Sequence, residues 1–142
     1  SVRLLAPDGV LGKHAPSKKE WKDIDFGFRI AKEMGRLDIG QTVVVKDMAV
    51  MAVEAIEGTD EAIRRGGKLA GPGATVIKVS KPRQDLRFDV PAVGMETLAA
   101  LIEVHARVLA VEQGKSIILN RKEMLKKADK HDIAIVGYQP KQ

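Results

Sequence analysis

Residues 74–89 read ATVIKVSKPRQDLRFD, an apolar run typical of a buried strand that passes directly into a segment crowded with charge. Asp85, Asp89 and the amide of Gln84 alternate in this segment with basic side chains. The basic side chains are those of Lys78, Lys81, Arg83 and Arg87. A proline near each end stiffens the segment and lowers the entropic cost of holding its groups in one geometry. The functional interpretation is a site for a phosphorylated substrate with a catalytic carboxylate; the alternative is a charged connecting loop.

The composition is that of a globular protein with one compact domain. A chain of 142 residues is long enough to bury a hydrophobic core. Hydrophobic residues make up 44% and aromatic residues only 4%, so the core is expected to be mainly aliphatic. There is no cysteine, which excludes a disulfide scaffold, a thiolate nucleophile and any cysteine-ligated metal site.

The charge distribution indicates an anionic partner. The formal net charge is +5, and the stretch 64–84 holds basic residues but no acid. A nucleic-acid surface is not expected, because such surfaces combine basic residues with exposed aromatic ones, and the single Trp and single Tyr lie far apart in the sequence. A local positive field of this kind also suits a phosphate group. No apolar run approaches the roughly 20 residues that cross a bilayer, and no signal peptide is present.

Local patterns place the helices and strands. Ser17 and Glu20 form a capping box that starts a helix, and Gly35 is predicted to cap its C-terminus. Thr59 is predicted as the N-cap of a second, short helix, which Gly-Gly at 66–67 is expected to weaken and Gly-Pro-Gly at 71–73 to stop. The other predicted elements are a hairpin of strands 41–46 and 49–56, a strand at 74–79, a helix at 95–105, a hairpin of strands 107–112 and 116–119, a helix at 121–131 and a strand at 133–137.

This order of elements predicts an α/β fold. The succession helix, hairpin, helix, strand occurs over 17–79 and again over 95–137, which raises the hypothesis of two quasi-repeated halves. The strands are so apolar that both faces of the sheet are expected to be buried. We therefore predict a single domain over 1–142 with a mixed β-sheet flanked by helices.

Carboxylates are the candidate catalytic groups, because the common alternatives are missing. The sequence has no P-loop, no HExxH and no Gly-x-Ser-x-Gly motif. Its three histidines are His14, His105 and His131. The last two fall at predicted helix C-termini, where a positive ring is favoured for structural reasons, and His14 alone carries no metal signature.

Two clusters of acids qualify. The first is EAIEGTD at 54–60, where a strand meets a helix N-terminus that can bind an anion directly. The second is QDLRFD at 84–89, in which Asp85, Arg87 and Asp89 lie on one face if the segment is extended. A carboxylate there can accept a proton from water or hold a divalent cation, while arginine stabilises phosphate charge. The alternatives are a capped helix start and an edge strand with a surface ion pair, and the spacing alone leaves both open.

Three segments resemble one family. They read LAPDGVLG at 5–12, GRLDIGQTVVVKDMAVMAVEAIEGTDEAIRRGG at 35–67 and KVSKPRQDLRFDVPAVGMET at 78–97. This pattern is similar to the C-terminal domain of the bacterial UDP-2,3-diacylglucosamine pyrophosphatases that replace the calcineurin-like phosphoesterase in lipid A biosynthesis, a step of outer membrane biogenesis.

The resemblance implies hydrolysis of UDP-2,3-diacylglucosamine to UMP and 2,3-diacylglucosamine 1-phosphate (lipid X), assisted by Mg²⁺ or Mn²⁺. It implies a cytoplasmic enzyme, peripheral to the inner membrane, with an N-terminal Rossmann-like domain that this chain lacks, and a homodimer is a further hypothesis. The chain begins with Ser1 rather than Met, and we expect it to be the C-terminal domain of that longer enzyme. The alternative function is a non-catalytic module that binds a nucleotide or a nucleic acid.

The resemblance also implies roles for individual residues. The catalytic aspartate is expected within QDLRFD, as Asp89 or Asp85, and the two stay equivalent at this point. The residues expected to bind substrate are Lys78, Lys81, Arg87, Gln84 and Thr59. The residues expected to hold the metal ion are Asp85, Asp89, Glu57 and Asp60.

Overall fold

A six-stranded mixed sheet with helices on both faces forms the domain in the computed structural model, which describes residues 4–82, 85 and 89–141. The elements are β1 (Gly9–Val10), α1 (Lys18–Arg36), β2 (Thr42–Lys46), β3 (Ala49–Val53), α2 (Thr59–Ala70), β4 (Thr75–Lys78), β5 (Ala92–Val93), α3 (Met95–Glu103), β6 (Val108–Glu112), β7 (Ile117–Ile118), α4 (Arg121–Lys130) and β8 (Ala134–Tyr138). The predicted α/β class is confirmed.

The strand order of the main sheet is β1-β8-β6-β4-β2-β3. The three central strands β4, β6 and β8 run parallel, whereas β2 and β3 on one side and β1 on the other are antiparallel to their neighbours. In parallel α/β sheets the ligand crevice lies beyond the carboxyl ends of the strands. Those ends are Lys78, Glu112 and Tyr138 in this sheet.

Both faces of the sheet are buried, as its apolar strands predicted. Helix α1 covers one face, where Ile24 and Phe28 pack with Val45. Helices α2, α3 and α4 cover the other face, where Leu101 and Met124 belong to a second core. Successive residues of a strand point to opposite faces, so each strand contributes to both cores. No helix in the described ranges has both the length and the apolar character needed to cross a membrane.

The predicted capping box of α1 is confirmed. The Glu20 backbone N–H donates to Ser17 Oγ at 3.1 Å, and the Ser17 N–H donates to Glu20 Oε1 at 2.9 Å. The prediction that Gly35 caps the other end is wrong, because α1 continues to Arg36 and its C-cap is Leu37 in a right-handed helical conformation. Gly35 instead lies in the last turn, where it packs beneath the chain that leaves β4.

One of the two predicted hairpins forms. Strands β2 and β3 pair antiparallel as expected, although β3 ends at Val53 rather than at 56. The hairpin of 107–112 with 116–119 is wrong, because β7 pairs in parallel with β5 in a separate two-stranded sheet. Both edges of β6 are already occupied by β4 and β8, which leaves no position for β7 beside it. The two halves of the chain therefore differ in their strand pairing.

Two adjacent glycines allow α2 to lie close to the sheet and to α3. The helix runs through Gly66 and Gly67 and ends at Ala70 with Gly71 as its C-cap, so the prediction that 71–73 stops it is confirmed. A methyl group on Gly66 would lie 2.6 Å from Val44 Cβ, and one on Gly67 would lie 2.3 Å from Val104 Cγ2. The glycines are required by this close approach, which outweighs their low helix propensity.

Replacing Gly66 with alanine is expected to destabilise the fold by about 1–3 kcal/mol, because the methyl group overpacks against Val44 and Ala52. The matched control is Gly35→Ala, since a methyl group there meets only ordinary contacts at 3.6 Å. That control is expected to stabilise the helix by about 0.5–1 kcal/mol. Urea unfolding of both variants measures the difference, and equal midpoints would contradict the packing argument.

Candidate active site

A cleft of about 500 Å³ opens where the N-termini of α2, α3 and α4 converge beside the carboxyl end of β4. It is lined by Glu57, Gly58, Thr59, Asp60, Glu61, Lys78, Ala92, Gly94, Met95, Glu96, Thr97, Leu119 and Asn120. The sheet topology places this cleft where α/β proteins commonly bind ligands. Helix N-termini present backbone N–H groups and a partial positive charge, so three of them together favour an anion.

None of these helix starts is capped by a side chain. The N-cap residues are Gly58, Gly94 and Asn120, and no side-chain hydrogen bond caps any of the three helices. Gly58 has φ 92° and Asn120 has φ 49°, conformations that glycine and asparagine tolerate best. The first-turn N–H groups are thereby left for another acceptor. Thr59, predicted as an N-cap, is instead the first residue of α2.

Lys78 supplies a positive charge at the floor of the cleft. Its ammonium Nζ donates to the carbonyl oxygen of Ala92 at 3.0 Å. Burial lowers the pKa of Lys78 below the ordinary lysine value of 10.5, and the nearby carboxylates of Glu54 and Asp60 partly oppose that shift. Within the described ranges no carboxylate forms an ion pair with this ammonium. A charged group held out of solvent in this way has a large interaction to gain from an anionic ligand.

Hydroxyl groups fix the acids around Lys78. Thr97 Oγ1 donates to Asp60 Oδ1 at 2.8 Å, which ties the first turn of α2 to that of α3. Thr59 Oγ1 donates to Glu54 Oε1 at 3.4 Å and lies 3.2 Å from Thr42 Oγ1. Hydrogen bonds between these polar side chains therefore fix their positions at the cleft.

Glu57 lines the cleft and forms an ion pair with Arg65. Its Oε1 accepts from Arg65 Nη2 at 2.7 Å and from the Ala55 backbone N–H at 3.2 Å. The hydrogen bond from Arg65 is the main reason why the pKa of Glu57 is lowered, and the Ala55 bond adds to it. Glu57 is ionised under ordinary conditions and fixes the turn that leads into α2.

Four of the predicted site residues meet in this cleft: Glu57, Thr59, Asp60 and Lys78. The others lie elsewhere or outside the described residues. Lys81 Nζ lies 3.2 Å from Asp38 Oδ1, beyond the end of α1. Gln84 and Arg87 fall outside the described residues.

The two candidate catalytic aspartates are exposed. Neither Asp85 nor Asp89 is among the residues that line the cleft. The Asp89 N–H donates to the Asp85 carbonyl oxygen at 2.7 Å. The hypothesis that 84–89 is extended falls largely on residues 84 and 86–88, which lie outside the described residues, and it stays a prediction.

Comparison with known proteins assigns the chain to a family. The LpxI C-terminal domain family matches residues 7–136 of the chain. The chain belongs to this family. It is also 33% identical over 147 residues to the UDP-2,3-diacylglucosamine pyrophosphatase LpxI of Caulobacter vibrioides. That alignment covers 98% of this chain and 52% of the relative, so the chain spans about half the length of the curated relative it matches.

Sequence reasoning missed part of the polar wall of this LpxI C-terminal domain. Gly94 and Thr97 were assigned no role, yet they form the N-cap and the third helical residue of α3. The sequence does contain Gly-x-x-Thr directly after a strand, a pattern that indicates a helix start. Only the fold shows that this start of α3 faces the start of α2. Asn120 was also missed, because its left-handed conformation is not visible in the sequence.

The acids of this LpxI C-terminal domain fit only one type of metal binding. Among residues 4–82, 85 and 89–141, no three His, Asp or Glu side chains are grouped closely enough to hold a metal ion. Mg²⁺ commonly binds through one or two carboxylates, several waters and the phosphates of a substrate. Asp60 is an acid of the cleft that fits this mode, whereas Glu57 is already held by Arg65 and Glu61 by Arg64.

Proposed function

We propose that this domain carries the hydrolytic site of a UDP-2,3-diacylglucosamine diphosphatase and releases UMP and 2,3-diacylglucosamine 1-phosphate. The observation that carries the proposal is the cleft around Lys78, in which three helix N-termini without side-chain caps meet a half-buried ammonium. The relative from Caulobacter vibrioides is named for this reaction and supports the choice of substrate.

In this proposal the cleft binds the diphosphate group. The Lys78 ammonium and the first-turn N–H groups of α2 and α3 contact the phosphoryl oxygens. These donors are fixed before the substrate arrives, so no reorganisation opposes the charge that develops in the transition state. Thr97 fixes the position of Asp60, because its hydroxyl donates a hydrogen bond to Asp60 Oδ1 at 2.8 Å.

The bond that breaks is the phosphoric anhydride between the two phosphorus atoms. A water oxygen forms a bond to one phosphorus, the bridging oxygen leaves with the other phosphate, and the water proton passes to a carboxylate. We assign that carboxylate to Asp85 or Asp89, in the segment that follows β4. The same two products form whichever phosphorus is attacked.

A divalent cation is part of the proposal. Asp60 is the residue of the cleft that would hold Mg²⁺, together with oxygens of the bound diphosphate. When bound there, the ion supplies positive charge to the phosphoryl oxygens. The chain's own residues would keep the acids in place through Thr97 and Thr59.

The substrate is also proposed to contact a second domain. The chain matches about half of its relative, and an N-terminal Rossmann-like domain is proposed to close over the cleft mouth. The acyl chains of the substrate require peripheral contact with the cytoplasmic face of the inner membrane. The form of the protein that carries both domains is called the two-domain protein below.

The test is an assay of UMP release from UDP-2,3-diacylglucosamine with Mg²⁺ or Mn²⁺. The two-domain protein is expected to turn over, and the 142-residue chain serves as the comparison. A non-catalytic nucleic-acid module would instead show salt-dependent binding of nucleic acid and no UMP. Absence of turnover by the two-domain protein with either metal would refute the proposed reaction.

The lowered pKa of Lys78 predicts the pH dependence of this reaction. The ammonium loses its proton as the pH rises through its lowered pKa, below the ordinary value of 10.5, and anion binding is lost with it. We expect kcat/KM to fall on the alkaline side in that range. In Lys78→Arg the side chain stays charged, so any remaining activity should lack this alkaline fall. The same alkaline fall in Lys78→Arg would assign it to another group.

A further inference from the structure

The backbone just beyond β4 is held by side chains and backbone on both sides. The Val79 N–H donates to the backbone carbonyl oxygen of Gln41 at 2.9 Å, and Gln41 Nε2 donates to the Val79 carbonyl oxygen at 2.7 Å. The Ser80 N–H donates to Glu112 Oε1 at 2.9 Å, and Lys32 Nζ donates to the Ser80 carbonyl at 3.0 Å. All four backbone polar groups of Val79 and Ser80 therefore have partners.

The ion pair in this group is costly. Lys32 Nζ lies 3.1 and 3.2 Å from the two carboxylate oxygens of Glu112, whose side chain is only 8% exposed. Removing two charges from water costs several kcal/mol per ion, and apolar replacements of such pairs are often neutral or stabilising. A contribution to folding stability therefore does not explain this ion pair. Its two side chains also hydrogen-bond to the backbone of Ser80 and fix its position.

The Lys32–Glu112 ion pair lies at the carboxyl end of β4, where the pairing of β4 with β6 stops. Pairing of β4 with β6 runs from Thr75 opposite Val108 to Lys78 opposite Val111. Two residues further on, the Glu112 carboxylate serves as the acceptor for the Ser80 N–H. The chain leaves the sheet at this point and enters the segment 81–90.

We propose that Lys32, Glu112 and Gln41, called the Ser80 clamp, are positioning residues for the hydrolytic reaction. The clamp sets the direction in which segment 81–90 leaves β4, and this segment carries Asp85 and Asp89. It also fixes the chain two residues beyond Lys78, which carries the phosphate-binding ammonium. This proposal rests on the proposed function.

The test uses the two-domain protein with the double substitution Lys32→Met/Glu112→Leu. Apolar groups of similar length replace the ion pair, so the fold is expected to survive, with a lower thermal midpoint because the Ser80 N–H and carbonyl lose these partners. We expect kcat for UMP release to fall by about 10- to 100-fold with little change in KM, because misplaced catalytic groups cost rate rather than binding. Cleavage by trypsin after Arg83 or Arg87 is expected to accelerate in the same variant.

Two further variants separate positioning from general damage. Lys115→Met removes a cation 3.8 Å from Glu112 that makes no contact with Ser80, and it should leave kcat and cleavage unchanged. Glu112→Gln keeps an oxygen acceptor for the Ser80 N–H and should retain more kcat than Glu112→Leu.

The outcomes are distinct. A folded double variant with wild-type kcat and wild-type cleavage by trypsin would overturn the clamp. If the wild-type two-domain protein releases no UMP, the proposed function fails. The rate of tryptic cleavage then still decides whether the clamp controls access to the bonds after Arg83 and Arg87.

Discussion

Substituting methionine for Lys78 is expected to lower kcat/KM for UMP release by about 100- to 1,000-fold, the loss typical of removing one fixed donor from a developing charge. The ammonium is buried at the floor of the cleft, where the converging helix N-termini add positive potential of the same sign. Methionine keeps the length and the apolar stem of the side chain but removes the charge. Steady-state assays of the two-domain protein measure the change.

Stability separates a binding defect from misfolding in this variant. Because burial lowers the pKa of Lys78, the unfolded chain binds more protons than the folded one between that lowered pKa and 10.5. Stability therefore rises with pH across this window, and at neutral pH the buried charge opposes folding. Lys78→Met is expected to unfold no more easily than the wild type. Lys68→Met, on the exposed face of α2, is the matched control and should keep full activity.

The second large effect concerns the acids of segment 81–90. Asparagine at the catalytic position, Asp85 or Asp89, is expected to lower kcat by about 100- to 10,000-fold, the range for loss of a general base. Substrate binding should persist, because the phosphate donors of the cleft are untouched. Single-turnover rates and equilibrium binding of the substrate measure the two quantities separately.

Each aspartate serves as the control for the other. Both are exposed, and the Asp89 N–H donates to the Asp85 carbonyl oxygen, so the two substitutions are made in similar surroundings. A large loss in one variant and a small loss in the other identifies the general base. Full activity in both variants would remove this segment from the reaction.

Local sequence patterns were sufficient for most of the secondary structure. The capping box at Ser17 and the apolar alternation of β2 and β4 lead to the correct helix and strands. The role of Gly66 was not predicted, because glycine is required there by the close approach of Val44, which is distant in sequence and adjacent only in the fold. The hairpin of β6 with β7 was wrongly predicted for the same reason. The two strands are neighbours in sequence, but in the fold β6 pairs with β4 on one edge and with β8 on the other.

The candidate site was predictable in part. Thr59 and Asp60 were recognised because a helix start with acids is a local signal, and Lys78 because it follows an apolar strand. Their meeting with Thr97 depends on the packing of α2 against α3, which no local pattern encodes. The contact between the single Trp and Tyr is similar. Trp21 and Tyr138 are far apart in sequence, yet their ring centroids lie 6.3 Å apart.

The central claim is that the Lys78 cleft binds a diphosphate group, and amide chemical shifts of the two-domain protein on titration with UDP test it most directly. The largest changes are expected at the backbone N–H groups of Thr59, Asp60, Met95 and Glu96, which begin α2 and α3. They should be lost in Lys78→Met. Saturable binding of UDP that moves other amides and leaves these four unchanged would contradict the account.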